Sequence, residues 1–276
     1  MKPIRNFADF RSYESASARL RGLMRDTAIW PLSLGRDIGR TDCWVRFPYY
    51  HHVFDDERNG FARQLDYMRG FGEFISLDDV TNLLETNQPI DGRYFCITFD
   101  DGFKNNLTNA VPILLDAGAT ATFFVATGYI GLDVKKDRNK LLSFFDHGQS
   151  LLEFLDWDDC QKMIDVGMTI GSHTVNHSRM SKLETGTAER ELAESKRMIE
   201  EHLNRPCEHF CSPFGIPGRD FNVDRDPRLA KSAGYRSMST TERGVIRRGD
   251  NPHHIYRDHI LANWGNYQLR YFLSLN

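Results

Sequence analysis

Two adjacent carboxylates and a pair of histidines are the residues of this 276-residue chain best suited to chemistry. Asp100 and Asp101 directly follow YFCITF, a run of aromatic and β-branched residues that predicts a buried strand. Two close, partly desolvated carboxylates cannot both stay ionised at low cost unless a cation lies nearby. The pair therefore indicates a metal site at the strand end, although Asp-Asp-Gly after a strand is often only a turn.

The histidines follow a second predicted strand. In the run MTIGSHTVNH, His173 and His177 are four positions apart, a spacing that can place both imidazoles on one side of a helical turn. An isolated pair of this kind is usually an ordinary surface or core pair. Together with the two aspartates, however, these histidines supply the ligands for a metal that keeps an open position for water.

These motifs, taken in order, resemble those of the NodB-type polysaccharide deacetylases, also called carbohydrate esterase family 4. The resemblance spans roughly residues 49–261 and rests on TFDDG, GSHTVNH and HFCSPFG. It implies that Asp100 is the catalytic base and that Asp101, His173 and His177 bind a divalent metal, expected to be zinc. It also implies the distorted, incomplete (β/α) barrel of that family.

The third motif departs from the family pattern. Family members commonly carry Arg-x-Pro-Tyr-Gly, whereas this chain has Cys211 at the Arg position and Phe214 at the Tyr position. The resemblance implies that the backbone N–H of Phe214 donates to the oxyanion, a role that survives a change of side chain. The Arg that orients the catalytic base is missing here or comes from elsewhere in the chain.

A histidine is expected to act as the catalytic acid. The segment from Tyr50 to Val53 is similar to one in a permuted branch of the family, which acts on poly-N-acetylglucosamine, and it selects His51. The alternative is a strand-end histidine bound to a backbone carbonyl. If the segment stays extended, only one of His51 and His52 can face the metal. His259 is the second candidate for the acid, although a structural role suits it better.

Length and patterning favour a single α/β fold. The chain is 40% hydrophobic, which is ample for one sizeable core. Predicted strands alternate with predicted helices, and the chemically capable residues lie at strand ends, which predicts a single (β/α) barrel with its site at the carboxyl rim. The formal net charge of −3 argues against a nucleic acid or an anionic membrane surface as the main partner.

We expect one polysaccharide-deacetylase-like domain over residues 1–276. Residues 1–45 are polar and weakly periodic, which predicts a surface extension with one helix around residues 13–25. Residues 132–156 interrupt the alternation of strand and helix. We expect this segment to be an insertion that shapes the substrate cleft, with an ordinary surface helical hairpin as an equal alternative.

The cysteines and the hydropathy pattern bear on location. The five cysteines are scattered, which is typical of reduced apolar residues rather than of a disulfide framework. No apolar run reaches the length of a signal peptide core or of a transmembrane helix. These features predict a cytoplasmic protein without a transmembrane segment, acting on a substrate made inside the cell.

The resulting hypothesis is a metal-dependent hydrolase that removes an N-acyl group, with acetyl expected, from an amino sugar in surface-polysaccharide metabolism. Two alternatives stay open. One is a deformylase or another amide hydrolase that acts on a nucleotide-linked or lipid-linked sugar. The other is a non-catalytic sugar-binding relative that keeps the metal, an alternative suggested by the missing Arg.

Overall fold

Short strands alternate with helices along the chain, and the computed structural model describes residues 2–13, 16–145 and 148–275. The strands are β1 (Trp44–Arg46), β2 (Pro48–Tyr50), β3 (Glu73–Phe74), β4 (Arg93–Phe95), β5 (Ile97–Phe99), β6 (Ala121–Val125), β7 (Thr169–Ser172), β8 (His209–Cys211), β9 (Ser237–Ser239) and β10 (Asp258–His259). The α-helices are α1 (Phe7–Ser12), α2 (Ala16–Ser33), α3 (Arg58–Arg69), α4 (Leu77–Glu85), α5 (Val111–Asp116), α6 (Arg138–Leu142), α7 (Trp157–Asp165), α8 (Thr185–Leu203), α9 (Asp226–Ser232) and α10 (Asn266–Leu273).

The main sheet is a curled, open half-barrel of parallel strands. Its strand order is β10-β2-β5-β6-β7-β8-β9. The register places Tyr50 beside Phe99, Phe99 beside Phe123, and Val125 beside Ser172. Because the strands run parallel, their carboxyl ends meet at one edge of the sheet. This is the incomplete (β/α) barrel that the sequence predicts.

The residues just before β10 connect the two edges of the half-barrel. Ile255 pairs with Ser239 of β9, whereas Asp258 pairs with Pro48 of β2. Arg257 lies between these two contacts, and its side chain is fully buried. The connecting segment therefore places a long cationic side chain inside the barrel.

The amino end of the barrel is closed by α4 and a small sheet with the order β1-β4-β3. The strand predicted over residues 94–99 is interrupted at Cys96, so β4 and β5 belong to different sheets. Ser76 caps α4, because its hydroxyl accepts a hydrogen bond from the Asp79 N–H at 3.0 Å. The apolar face of α4 packs into the barrel interior against strand residues, in a cluster that includes Leu77, Val80, Leu84, Cys96, Phe124 and Cys211.

The N-terminal segment forms two helices rather than the one helix predicted around residues 13–25. Helix α1 is held by Asp56, whose carboxylate accepts a hydrogen bond from the Phe7 N–H at 2.8 Å. Helix α2 continues through Pro31, a residue type that normally ends or kinks a helix, because Ile29 and Ser33 are buried on its inner face. Tertiary burial thus outweighs the local helix-breaking signal.

All five cysteines are free thiols, and four of them are buried. They behave as small apolar residues, as the sequence suggests. Among the described helices, none combines the length and apolarity that crossing a bilayer requires.

Candidate active site

Strand β5 delivers the two adjacent carboxylates to the carboxyl edge of the half-barrel. Asp100 and Asp101 are both buried, and the Asp100 N–H donates to the Tyr50 carbonyl at the end of β2 at 2.9 Å. Asp101 has a φ of 77° and is followed by Gly102 with a φ of 85°. This strained turn lets the neighbouring carboxylates meet different partners.

The two histidines lie on a loop and not on a helix. Strand β7 ends at Ser172, and residues 173–179 form no helix. Thr174 and His177 adopt left-handed backbone conformations, with φ values of 64° and 54°. These two reversals, rather than a helical turn, bring His177 back beside His173, with ring centroids 5.1 Å apart.

Asp101, His173 and His177 form a donor set that fits a divalent metal. Oδ1 of Asp101 lies 3.5 Å from Nε2 of His173 and 3.2 Å from Nε2 of His177. The Nδ1–H of His173 donates to the Cys211 carbonyl at 2.8 Å, which leaves the Nε2 lone pair facing Asp101. Oδ1 of Asp101 is buried and accepts no hydrogen bond from a described residue. Two imidazoles and an unpaired carboxylate oxygen are the ligands of a metal site with open positions.

The electrostatics of this donor set also favour a cation. Burial on its own would raise the pKa of the Asp101 carboxyl, but the neighbouring His177 and His173 outweigh it and hold that pKa well below its usual value. Asp101 therefore stays ionised because positive charge on its histidine neighbours outweighs burial, and a divalent cation would supply that charge where both imidazoles are neutral ligands.

Glu191 of α8 fastens the histidine loop, and the sequence analysis did not identify it. Its carboxylate accepts hydrogen bonds from the N–H groups of Val175 and Asn176 at 2.8 and 3.0 Å. It also accepts one from the Asn176 side-chain amide at 2.6 Å. The loop between His173 and His177 is therefore fixed by one carboxylate, which sequence spacing alone does not reveal.

Arg257 supplies the orienting cation that the third motif lacks. Its guanidinium binds Asp100 through two parallel hydrogen bonds, Nη1 to Oδ1 at 2.7 Å and Nη2 to Oδ2 at 2.8 Å. Its Nε donates to the Thr240 carbonyl at 2.7 Å and fixes the side chain. Burial alone would raise the pKa of Asp100, but the charge and hydrogen bonds of Arg257 lower it below its usual value.

Cys211 lies beside this ion pair. Its Sγ is 2.9 Å from Nη2 of Arg257 and 3.8 Å from Oδ2 of Asp100. Burial raises the pKa of the Cys211 thiol, so it remains neutral. A small side chain at position 211 leaves space for the guanidinium that enters from position 257. The missing Arg in the third motif was the one sequence signal that such a replacement was needed.

His51 and His52 both line the cavity in front of the carboxylates. Strand β2 ends at Tyr50, so the alternation expected of an extended segment does not apply to them. His52 packs against Phe54 and Phe103, with ring centroids 4.8 and 4.2 Å away. Burial, with a smaller effect of His51, lowers the pKa of His52 to about 3. His52 is therefore a neutral ring in an aromatic wall.

His259 lies next to His51, with ring centroids 5.2 Å apart in an edge-to-face arrangement. It also packs on Tyr49 at 4.9 Å. Burial, assisted by the nearby His51 and Arg243, lowers the pKa of His259 to about 3. At neutral pH, His259 thus holds no ionisable proton to give, which leaves His51 as the better placed donor.

Phe214 occupies a strained turn that faces the histidines. Its φ is 61°, and Gly215 follows with a φ of 70°. The Thr241 hydroxyl donates to the Phe214 carbonyl at 2.8 Å, and the Arg179 guanidinium lies 3.8 Å from the ring centroid. No described residue accepts a hydrogen bond from the Phe214 N–H. This N–H is thus free to donate to a bound molecule.

A cavity of about 430 Å³ opens onto these groups. One wall is aromatic and comes from three separate parts of the chain, one of which is the segment after β2 with Phe54. The segment predicted as a cleft insertion contributes Phe144 and Phe145, and helix α1 contributes Phe7 and Phe10. Phe10 and Phe145 contact each other, with ring centroids 5.7 Å apart. The N-terminal extension and the insertion therefore shape the cavity together.

Comparison with known proteins shows which protein family shares this architecture. The sequence matches the family described as polysaccharide deacetylase over residues 87–238. YxkH of Bacillus subtilis (strain 168), whose name places it in the same family, is 27% identical over 161 residues. That match covers 58% of this chain and 49% of YxkH, so the chain spans about half the length of this curated relative.

Solved structures share the fold. IcaB from Ammonifex degensii has a TM-score of 0.70 and 21% identity, covering 84% of this chain and 98% of IcaB. The deacetylase PplD of Streptococcus pyogenes, solved in complex with acetate, has a TM-score of 0.67 and 23% identity, covering 84% of this chain and 99% of PplD. Because the family match spans more than half of the sequence and the fold agrees, the chain belongs to the polysaccharide deacetylase family.

Proposed function

We propose that this protein is a metal-dependent hydrolase that removes the N-acetyl group from an amino sugar in surface-polysaccharide metabolism. One observation carries the proposal: the two adjacent carboxylates have different partners. Asp101 faces His173 and His177 within 3.5 Å, whereas Asp100 is bound by Arg257. Family membership supports the same reaction class.

Asp101, His173 and His177 would hold the metal, and we propose zinc. Two nitrogens and one oxygen are a ligand set that zinc commonly takes in hydrolases. When bound, such an ion supplies Lewis-acid chemistry, because it polarises the amide carbonyl and eases deprotonation of water.

The remaining residues have separate tasks in the proposed reaction. Asp100 accepts the proton of the attacking water, since Arg257 keeps its carboxylate ionised and fixed in orientation. The Phe214 N–H donates to the carbonyl oxygen as negative charge develops there. The aromatic wall around Phe144 and Phe145 excludes water and offers flat apolar faces to a sugar ring.

His51 is our proposed acid, which protonates the leaving amine nitrogen. It lines the cavity with Asp100 and Asp101. Burial makes His259 and His52 poor proton donors at neutral pH, because it lowers the pKa of each to about 3. The choice of His51 therefore depends on its neighbours as much as on the similarity of its segment.

The two alternatives to this proposal are a different acyl group and a non-catalytic role. The same machinery would remove a formyl group, and nothing in the cavity distinguishes formyl from acetyl. A non-catalytic sugar-binding role was suggested by the missing Arg, but Arg257 meets that need in space. We also propose a cytoplasmic location, which the five free cysteines support.

The experiment is to measure acetate and free amine released from N-acetylglucosamine oligosaccharides, before and after chelation and again after addition of Zn²⁺. We expect release that stops on chelation and returns with the metal. Parallel assays with N-formyl substrates identify the acyl group. Sugar binding without release under any metal condition would favour the non-catalytic alternative.

A further inference from the structure

Exposed apolar side chains are concentrated on α2 and the residues just after it. Among the described residues, ten large hydrophobic side chains are exposed, and five of them lie between positions 20 and 34. Each of the five is between 55% and 64% exposed, and they are Leu20, Met24, Trp30, Leu32 and Leu34. A cluster of this kind marks a surface that meets an apolar partner.

Helix geometry explains why this cluster stays uncovered. The inner side of α2 carries Ile29 and Ser33, which are buried, and the Arg270 guanidinium of α10 donates to the Ser33 hydroxyl at 3.0 Å. Leu20 and Met24 are one turn apart and share a face that points away from that contact. Trp30 and Leu32 lie to either side of that face, and Leu34 follows the end of the helix. We call the exposed side formed by Leu20, Met24, Trp30, Leu32 and Leu34 the α2 apolar face.

The charge around this face is opposite in sign to that of the remaining chain. Residues 1–40 contain eight basic and four acidic residues, a net charge of +4, although the whole chain carries −3. Residues 41–276 therefore carry −7. Arg21 and Arg25 directly follow Leu20 and Met24 in sequence, and both are exposed, although Arg25 also pairs with Asp26 at 2.9 Å. The near-neutral total charge thus hides a basic, apolar N-terminal surface.

We infer that the α2 apolar face docks on an anionic lipid bilayer. Exposed apolar side chains, a tryptophan among them, with neighbouring arginines have the chemistry of a segment that binds at the membrane interface. Arginines near an anionic leaflet add electrostatic attraction to such binding. Symmetric pairing of two copies through this face would bring two segments of net charge +4 together, so a second copy is a poorer occupant.

Docking would bring the catalytic cavity close to the bilayer. Phe7 and Leu261 line both the catalytic cavity and a second cavity of about 450 Å³ beside α2. The second cavity is also lined by Arg21 and Arg25 of α2. The membrane-facing helix and the active site are therefore neighbours.

Vesicle sedimentation of the full chain tests this inference. The probes are phosphatidylcholine vesicles with and without about one third phosphatidylglycerol. We expect roughly tenfold more protein on the anionic vesicles, and weaker binding at high salt because exposed charges are screened. The double variant Leu20→Glu, Met24→Glu should lose about tenfold or more of that binding.

The matched control is Leu115→Glu, Val223→Glu, which places the same two charges on exposed apolar positions elsewhere. Apart from the small effect of its two added negative charges, the control should bind vesicles as the wild type does. Thermal melts should show that both variants fold. Equal binding of the α2 variant and the control would overturn the inference, as would equal binding to neutral vesicles. Absence of vesicle binding, together with self-association that the α2 variant abolishes, would assign the face to a second copy instead.

Discussion

Two clusters of aspartate and histidine lie at opposite ends of the half-barrel, and they differ in how their polar atoms are partnered. At the amino end, both ring nitrogens of His209 are bonded, Nδ1 to Ser237 Oγ at 2.8 Å and Nε2 to Asp78 Oδ1 at 3.0 Å. Asp78 also accepts a hydrogen bond from the Thr169 hydroxyl at 3.3 Å. This cluster fastens α4 to the first residues of β7, β8 and β9.

The carboxyl end shows the opposite pattern. Among the described residues, Asp101 Oδ1, Thr174 Oγ1 and Ser212 Oγ are buried without a hydrogen-bond partner. Asp101, Thr174, His177 and Phe214 all have positive φ values. Unpaired buried atoms and left-handed backbone both cost free energy, so the rest of the fold must hold this end in place.

The two clusters contain the same residue types, but the partnered cluster has a structural role and the unpartnered cluster has a chemical one. Asp78, Glu208 and His209 bring ligand atoms as close together as a metal would need. Both nitrogens of His209 are already satisfied by the protein, however, so this cluster stabilises the fold. At the carboxyl end the unpaired acceptors are available to a cation and a substrate.

The largest expected effect concerns His51. His51→Ala should lower deacetylation by about a hundredfold to ten-thousandfold, the usual cost of removing a general acid. Because an acid must be protonated when the amide breaks, the wild type should lose activity at alkaline pH, and this limb should vanish in His51→Ala. Profiles of rate against pH for His51→Ala, His52→Ala and His259→Ala check the assignment. Loss of the limb in His259→Ala alone would move the acid role to the C-terminal histidine.

A smaller effect is expected from substitution of Arg257, the cation that binds the proposed base Asp100. Arg257→Lys keeps the charge but cannot form two parallel hydrogen bonds to Asp100, so we expect a loss of roughly tenfold to a hundredfold in kcat. Arg257→Met should also raise the pKa of Asp100, because burial then acts without the largest of the charges that oppose it. The acidic limb of the pH–rate profile should therefore move to higher pH.

Metal content separates this positioning role from a general loss of folding. Both Arg257 variants should bind as much metal as the wild type, since Arg257 contacts Asp100 and not Asp101. Breaking a buried ion pair costs about 3–5 kcal/mol, so Arg257→Lys is the safer variant if Arg257→Met unfolds. An unchanged acidic limb in a folded Arg257→Met would exclude Arg257 as the partner that controls the base.

The smallest effect on activity is expected at the amino end. His209→Leu leaves Asp78 and Ser237 without their partner and should cost about 1–3 kcal/mol of stability. Metal content and activity of the folded variant should be unchanged.

The hydrogen bond from His209 lowers the pKa of Asp78, so its stabilisation is present above the usual carboxyl pKa and is lost as pH falls through the lowered value. As the pH is lowered, the melting temperature of Asp78→Asn should therefore fall less than that of the wild type. Loss of metal from His209→Leu would contradict the comparison of the two clusters.

The sequence predicted the parts of the site that depend on local chain features. Asp100, Asp101, His173 and His177 each follow a buried strand, and parallel strands bring those ends together. Helices α3 and α4 also have local signals in the sequence, because their apolar positions recur at helical spacing and Ser76 caps the second.

Features set by contacts between distant residues were not predicted. Arg257 reaches Asp100 across a sequence separation of 157 residues, and no spacing rule connects them. The opposite-face argument for His51 and His52 required an extended chain, but β2 ends at Tyr50. Likewise, α2 continues through Pro31 because burial of Ile29 and Ser33 outweighs the break that the sequence indicates.

The division of labour between Asp100 and Asp101 is the central claim, and a paired measurement tests it most directly. Bound metal is quantified by elemental analysis in Asp100→Asn and Asp101→Asn, and acetate release is measured on the same preparations. We predict that Asp100→Asn keeps its metal and loses activity by about a hundredfold to ten-thousandfold. Asp101→Asn should lose the metal itself, as His173→Ala should. Equal loss of metal from both aspartate variants, or full activity in Asp100→Asn, would contradict this account.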